Sequence, residues 1–162
     1  MRILLLQRHA QAESGAAYAR DTDRELSVTG QRDAERMGAH LADIGQVPPY
    51  VLSSAAVRAR ETAKHVLIGA DAQDIEVEVT EALYQAVPKA VMNEIHSLSA
   101  GVSTAHLVGH QPTWGAVIQR LTGAQVDMRT GAIACIQLTV RSWAQVKPRS
   151  GRLVWFLPPI AV

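Results

Sequence analysis

Residues 1–9, Met-Arg-Ile-Leu-Leu-Leu-Gln-Arg-His, decide how the chain is read. The apolar run Ile3–Leu6 ends in two basic side chains, Arg8 and His9, followed by the small Ala10. An apolar run this short, bounded by polar residues, predicts a strand buried on both faces, the kind found in parallel sheets. In open α/β sheets ligands bind beyond the carboxyl ends of the strands. Arg8 and His9 therefore stand where a ligand would lie. Taken alone, the run could equally be a strand that stops at a polar turn, so the rest of the chain must decide.

Working outward, Gln11 to Glu25 is polar, lacks apolar periodicity and predicts a loop over the strand ends. Ser27 is placed to cap a helix whose apolar face is Ala34, Met37, Leu41 and Ile44. Gly45 and Pro48-Pro49 end it. Gly30, in its first turn, suggests close packing against the sheet. Tyr50–Leu52 predicts a second buried strand, and Ser53-Ser54 lead into a helix from about Ala55 to Leu67. Ile75–Val79 alternates strictly and predicts an edge or half-exposed strand running into Glu81-Ala82-Leu83-Tyr84. A helix from Pro88 to Leu98 follows, then the strand Thr104–Gly109, ending in His110-Gln111-Pro112. A helix over Thr113–Leu121 and two strands, Ala132–Val140 and Leu153–Leu157, complete the chain. Alternating strands and helices predict a three-layer α/β/α sandwich with a mainly parallel central sheet.

The 162 residues suit one domain spanning 1–162, long enough for a full core. A net charge of +1 and an aromatic content of 4% give neither a basic footprint nor a stacking platform for nucleic acid. No apolar run reaches the roughly 18 residues of a membrane span, and no secretory signal is evident. A cytoplasmic protein without membrane partners is expected. The lone Cys135, within Ala132–Ile136, reads as a buried small hydrophobe.

Arg8-His9, Arg58, Glu81 and His110 all follow the carboxyl ends of separate predicted strands, so a parallel sheet would gather them along one edge. Arg58 falls in the first turn of its helix, where the dipole disfavours a cation unless an anion sits there. Arginines recognise phosphate in bidentate fashion, and imidazoles donate hydrogen bonds or act as nucleophiles. The set suits phosphoryl transfer without a metal. His106 and His110 are four apart, but on a strand that spans roughly 13 Å, too far for two ligands of one ion. No metal site and no cofactor are expected. His40, His65, His96 and His106 read as surface or satisfied core histidines. No Walker loop and no G-x-S-x-G elbow occur. Ser53 and Ser54 read as helix-capping and loop hydrogen-bonding groups.

These residues also carry a resemblance. Leu6-Gln7-Arg8-His9-Ala10 resembles the R-H-G or R-H-A signature of the histidine phosphatase (phosphoglycerate mutase-like) superfamily. Leu26–Gly30 resembles its L-T-x-x-G helix start, Ser53–Ala63 its S-S-P-x-x-R-A-x-Q-T-A block, and Gly109–Pro112 its G-H-x-P block. The short chain, the Arg-His-Ala form and Thr130–Ala134 are similar to the SixA-type phosphohistidine phosphatase branch. The resemblance implies that His9 is the nucleophile and forms a phosphohistidine intermediate. It implies that Arg8, Arg58 and His110 bind the phosphoryl oxygens and that Glu81 takes the place of the proton donor. Ala10, Ala55 and Glu61 depart from the commoner glycine, proline and glutamine; none removes a catalytic group, and Ala10 and Ala55 affect loop geometry more than chemistry. The implied substrate is phosphohistidine in a partner protein. A small phosphorylated metabolite (sugar, nucleotide or cofactor phosphate) is the alternative, and a non-catalytic phosphate-binding module is the remote one.

Overall fold

The computed structural model describes residues 1–159, so the last three positions of the expected 1–162 domain lie outside it. Six strands form one sheet in the order β3-β2-β4-β1-β5-β6. They are β1 (Arg2–Arg8), β2 (Val51–Ser54), β3 (Val77–Thr80), β4 (Thr104–Gly109), β5 (Ile133–Leu138) and β6 (Gly151–Leu157). β1 to β4 pair in parallel, while β5 runs antiparallel to both β1 and β6. The carboxyl ends of β1 to β4 thus share one edge, as the strand pattern requires. The sheet is mainly parallel, with β3 at its edge as the alternating Val77–Thr80 stretch implies.

Period-two alternation divides the core between the two faces of the sheet. Leu4 and Leu6 of β1 join Leu52, Ala105, Leu107, Ala134 and Ile136 on one side. That face is covered by α3 (Pro88–Ser97), through Val91, Met92 and Ile95, and by α4 (Thr113–Thr122), through Trp114, Val117, Ile118 and Leu121. Leu5 and Cys135 face the other way, onto Ala34, Met37 and Leu41 of α1 (Val28–Asp43) and Val66 of α2 (Val57–Gly69). Val51 and Val108 meet Ala59, Ala63 and Leu67 of α2 on that same side. These are the three layers of the predicted sandwich. Cys135 is buried, as its apolar surroundings imply, and burial pushes its thiol up to about 11.

The segment after His9 is more ordered than its sequence suggests. It carries two 3-10 turns, Gly15–Ala17 and Asp21–Asp23, and a β-bridge between Ala12 and Leu26 closes it at its base. Glu13 N–H donates to the Glu25 carbonyl at 2.9 Å, and Ser27 N–H to the Gln11 carbonyl at 2.9 Å. Ser27 caps α1 as expected, its Oγ accepting from Gly30 N–H at 3.0 Å. Gly30 itself departs from expectation. It is needed against the loop backbone, not the sheet, because a Cβ there would lie 2.1 Å from the Gln11 carbonyl oxygen.

Gly30→Ala therefore forces the base of the loop away from α1. The expected cost is about 1–3 kcal/mol, as for other overpacked sites. Urea denaturation measures it, and limited proteolysis should show earlier cutting within residues 11–26.

Candidate active site

The register of β1 against β4 sets Arg8 opposite Gly109, and His9 N–H donates to the Gly109 carbonyl at 3.0 Å. His9 and His110 consequently leave neighbouring strand ends side by side, with ring centroids 5.3 Å apart and planes tilted by 52°. His9 Nδ1 lies 2.8 Å from the Ala10 carbonyl oxygen. A carbonyl can only accept, so Nδ1 carries the hydrogen and Nε2 keeps the lone pair. His9 is 9% exposed and its pKa is lowered to about 4, chiefly by burial and further by the positive charges of Arg58, Arg8 and Arg24. The ring is a neutral imidazole with a basic Nε2, the form able to attack an electrophile.

His110 is pushed lower, to about 3, by burial and then by His9 and Arg58. Its Nε2 lies 2.8 Å from Ser54 Oγ, which also accepts Ala56 N–H at 3.3 Å. The hydroxyl has one hydrogen to give and a second lone pair, so it can hold His110 Nε2 either as donor or as acceptor. Ser54 thus orients a site histidine. This adds to its expected role at the helix start, where it holds the N–H of Ala56, the N-cap of α2, although Ala56 and not Ser54 occupies the capping position. Ser53 makes a local bond to the Ser54 carbonyl, as expected of a loop hydroxyl.

Arg8 ends β1 and donates from Nη1 to the Met128 carbonyl at 3.0 Å. Arg58, the second residue of α2, is only 7% exposed. It donates from Nη1 to the Asp21 carbonyl at 2.8 Å and from Nη2 to Asp21 Oδ2 at 3.0 Å. A guanidinium has five N–H donors in a fixed fork. Each arginine therefore retains donors beyond those its protein partners use. Thr62 links the two halves of the site, accepting Ala10 N–H at 2.9 Å and donating to the Arg58 carbonyl at 2.6 Å. Gly131 fixes the strand end from the other side, its N–H reaching the carbonyls of Arg8 and His9 from a backbone φ of +81°.

Four of the five anticipated residues, Arg8, His9, Arg58 and His110, are tied into this arrangement. Glu81 differs. It opens the 3-10 turn after β3 and is exposed. It lines a cleft with Arg20, Asp23, Arg60 and Tyr84, and among the described residues no side-chain hydrogen bond ties it to His9, His110, Arg8 or Arg58. Two residues not anticipated here are Asp21 and Tyr84. Tyr84 sits edge-on to His110 with centroids 5.8 Å apart and donates its hydroxyl to Asp21 Oδ2 at 2.9 Å. Among the described residues, no group of three or more His, Cys, Asp or Glu side chains is placed to hold a metal ion. The other histidines divide. His65 meets Glu35 at 2.8 Å and His96 meets the Val146 carbonyl at 2.7 Å. His106 is fully buried with neither ring nitrogen partnered, so it is not the satisfied core histidine expected.

Residues 4–86 match the family model described as histidine phosphatase superfamily (branch 1). An uncharacterised chloroplastic protein of Arabidopsis thaliana is 31% identical over 164 residues, covering 96% of this chain and 75% of that protein. The chain belongs to the histidine phosphatase superfamily. An uncharacterised protein of Mycobacterium leprae is 36% identical over 149 residues, covering 86% of this chain and 89% of its own. Among solved structures, a protein assigned as phosphohistidine phosphatase SixA from Nakamurella multipartitia superposes with a TM-score of 0.82 at 27% identity, over 99% of this chain and 97% of that one. Its counterpart from Agrobacterium tumefaciens gives 0.82 and 27%, over 98% of each chain. The α-ribazole phosphatase of Shigella flexneri shares the fold, with a TM-score of 0.71 at 18% identity over 97% and 96% of the two chains. Membership of this superfamily makes the chain a phosphatase. No helix among the described residues is long and apolar enough to cross a membrane.

The buried neutral histidines give this phosphatase a distinctive acid response. His9 and His106 have pKa values lowered to about 4 and His110 to about 3, against roughly 6.5 for an exposed histidine. Between those values the unfolded chain binds protons that the folded chain refuses, so the histidines lower stability as pH drops through that window and their contribution levels off below it. Urea midpoints measured from pH 7 to pH 4 should fall, and His106→Gln should reduce the slope. The acid limb of kcat/KM, which reports groups of the free enzyme, should lie near pH 4 instead of 6.5.

Proposed function

We propose that this chain hydrolyses phosphohistidine in proteins through a covalent intermediate on His9, without a metal ion. The observation that carries the reading is the hydrogen bond from His9 Nδ1 to the Ala10 carbonyl, which leaves Nε2 as the nucleophilic atom near the buried Arg58 and half-buried Arg8 guanidiniums. In the first step His9 Nε2 forms an N–P bond in line with the departing group, whose bond to phosphorus breaks and whose nitrogen keeps the electron pair, leaving as neutral imidazole when its other ring nitrogen carries the proton. In the second step water attacks the same phosphorus. Inorganic phosphate leaves and Nε2 recovers its lone pair. Arg8, Arg58 and His110 supply hydrogen bonds to the equatorial oxygens, where charge concentrates in the transition state.

The choice of substrate rests on leaving-group chemistry. An imidazole leaving group has an unperturbed pKa of roughly 6.5, whereas an alkoxide depends heavily on a general acid. The exposed Glu81, with no hydrogen bond to the site histidines or arginines, suits the less demanding leaving group. The likeness to the Nakamurella and Agrobacterium SixA structures supports the same choice. A small-molecule phosphomonoester is the competing substrate class.

Three measurements test this reading. Incubation with a labelled phosphodonor should trap a phosphoenzyme in the native protein but none in His9→Ala, whose turnover should fall by more than about 10³-fold. EDTA should leave native turnover unchanged; loss restored by a divalent ion would overturn the metal-free scheme. Across a panel of substrates, Glu81→Gln should slow phosphomonoester hydrolysis by at least about 10²-fold, the scale of general-acid catalysis. Its effect on phosphohistidine should be slight, and equal losses on both would favour the phosphomonoester instead.

A further inference from the structure

The loop that follows His9 returns to the site at a single residue. Asp21 engages Arg58 twice, through its backbone carbonyl and through Oδ2. The same Oδ2 accepts the Tyr84 hydroxyl at 2.9 Å, and Oδ1 accepts from Arg24 Nη1 at 3.2 Å. Tyr84 is the residue that packs edge-on against His110. One aspartate therefore touches both the guanidinium on α2 and the aromatic ring beside the second histidine, while its backbone is anchored in the 3-10 turn Asp21–Asp23. Arg58 is almost wholly buried, so its side chain takes the orientation its few partners impose.

We infer that Asp21 is a positioning residue for the phosphoryl-transfer reaction. It fixes the Arg58 guanidinium by two of its N–H groups, so that the remaining donors are presented to the phosphoryl oxygens, and it locks Tyr84 against His110. The inference rests on the reading of Arg58 as a phosphoryl-binding group. Asp21 is not a proton donor in this scheme. Although burial raises its pKa, the hydrogen bonds from Tyr84, Arg24 and Arg58 hold it at about 2, so the group stays a carboxylate. A fixed negative charge next to an arginine that must bind an anion has two possible consequences. It can orient the arginine and raise the rate, or it can compete with the phosphoryl group and lower its affinity. Arg58 Nε is buried, and the two bonds leave one N–H on each terminal nitrogen for substrate, which favours orientation.

Asp21→Ala and Asp21→Asn separate these outcomes. Asp21→Asn keeps the backbone carbonyl and a side-chain oxygen but loses the charge, and Asp21 is exposed enough for both variants to fold, which thermal melts will verify. Misplacement of a catalytic contact by about 1 Å can cost on the order of 10²-fold. Asp21→Ala should lower kcat/KM by about that factor, and Asp21→Asn by less. Tyr84→Phe, which removes only one bond to Oδ2, should lower it least. Vanadate, which adopts the trigonal bipyramid of the transition state, should lose affinity in parallel with kcat/KM, while inorganic phosphate loses less. The double mutant decides the route. In an Arg58→Ala background, Asp21→Ala should cost no more than the small loss of Tyr84→Phe, because only the Tyr84 contact is then left for it to hold. An undiminished loss in that background would overturn the inference, as would tighter binding of phosphate or vanadate by Asp21→Ala. Failure of the native protein to bind vanadate at all would instead strike at the phosphatase reading, leaving the two failures distinguishable.

Discussion

The backbone hydrogen bond from His9 N–H to the Gly109 carbonyl, 3.0 Å long, continues the β1–β4 ladder one step past the end of β1. The pairing of these two strands determines which residues meet at the site. A slip of one residue would send the side chains of β1 to the opposite face and carry His9 away from His110. The register is held by burial on both faces. Leu4 and Leu6 pack under α3 and α4, while Leu5 packs under α1, so each alternative register would expose leucine or bury a polar group. Core packing and site geometry are in this sense one constraint. The same ladder explains why short apolar strands can position basic groups without long supporting loops.

Burial also sets the chemistry. Collecting Arg8, Arg58, His9 and His110 at one sheet edge would be costly if every group were charged. The fold resolves this by keeping both imidazoles neutral, through desolvation first and neighbouring positive charge second. The neutral state is what an attacking nitrogen requires, so the feature that relieves repulsion also suits His9 to the nucleophilic role proposed for it. Asp21 supplies the compensating negative charge through Arg58, and among the described residues neither His9 nor His110 is hydrogen-bonded to a carboxylate.

Much of this was legible in the sequence. Arg8, His9, Arg58 and His110 each stand directly after, or one helical turn beyond, a short apolar strand, and strand periodicity is a local property of the chain. The layered α/β fold follows from the same alternation. Other features depend on contacts between segments remote in sequence. Asp21 lies in a stretch without periodicity, and its meeting with Arg58, 37 residues later, depends on how the loop closes. Tyr84 was visible only as part of a strand-end cluster, and Glu81 shared that position yet turned outward. Ser54 looked like a capping hydroxyl because it precedes a helix, but the neighbouring strand brings His110 within its reach. Gly30 could be recognised as a close-approach residue, though not which backbone it approaches. His106 had the strand position of a core residue, and nothing local announced that its ring nitrogens would go unpartnered.

The closed base of the 11–26 loop has an evolutionary consequence. The Ala12–Leu26 bridge, the Ser27 cap and the Glu61 carboxylate, which accepts Leu26 N–H at 2.6 Å, fix the two ends of the loop independently of its tip. Lengthening a loop whose ends are already held costs little, about 0.6 kcal/mol per doubling of length. The exposed tip around Gly15–Ala17 can therefore gain, lose or exchange residues while β1, α1 and the histidine pair stay in place. A catalytic edge built from rigid strands beside a loop of this kind can acquire new recognition surfaces without being rebuilt.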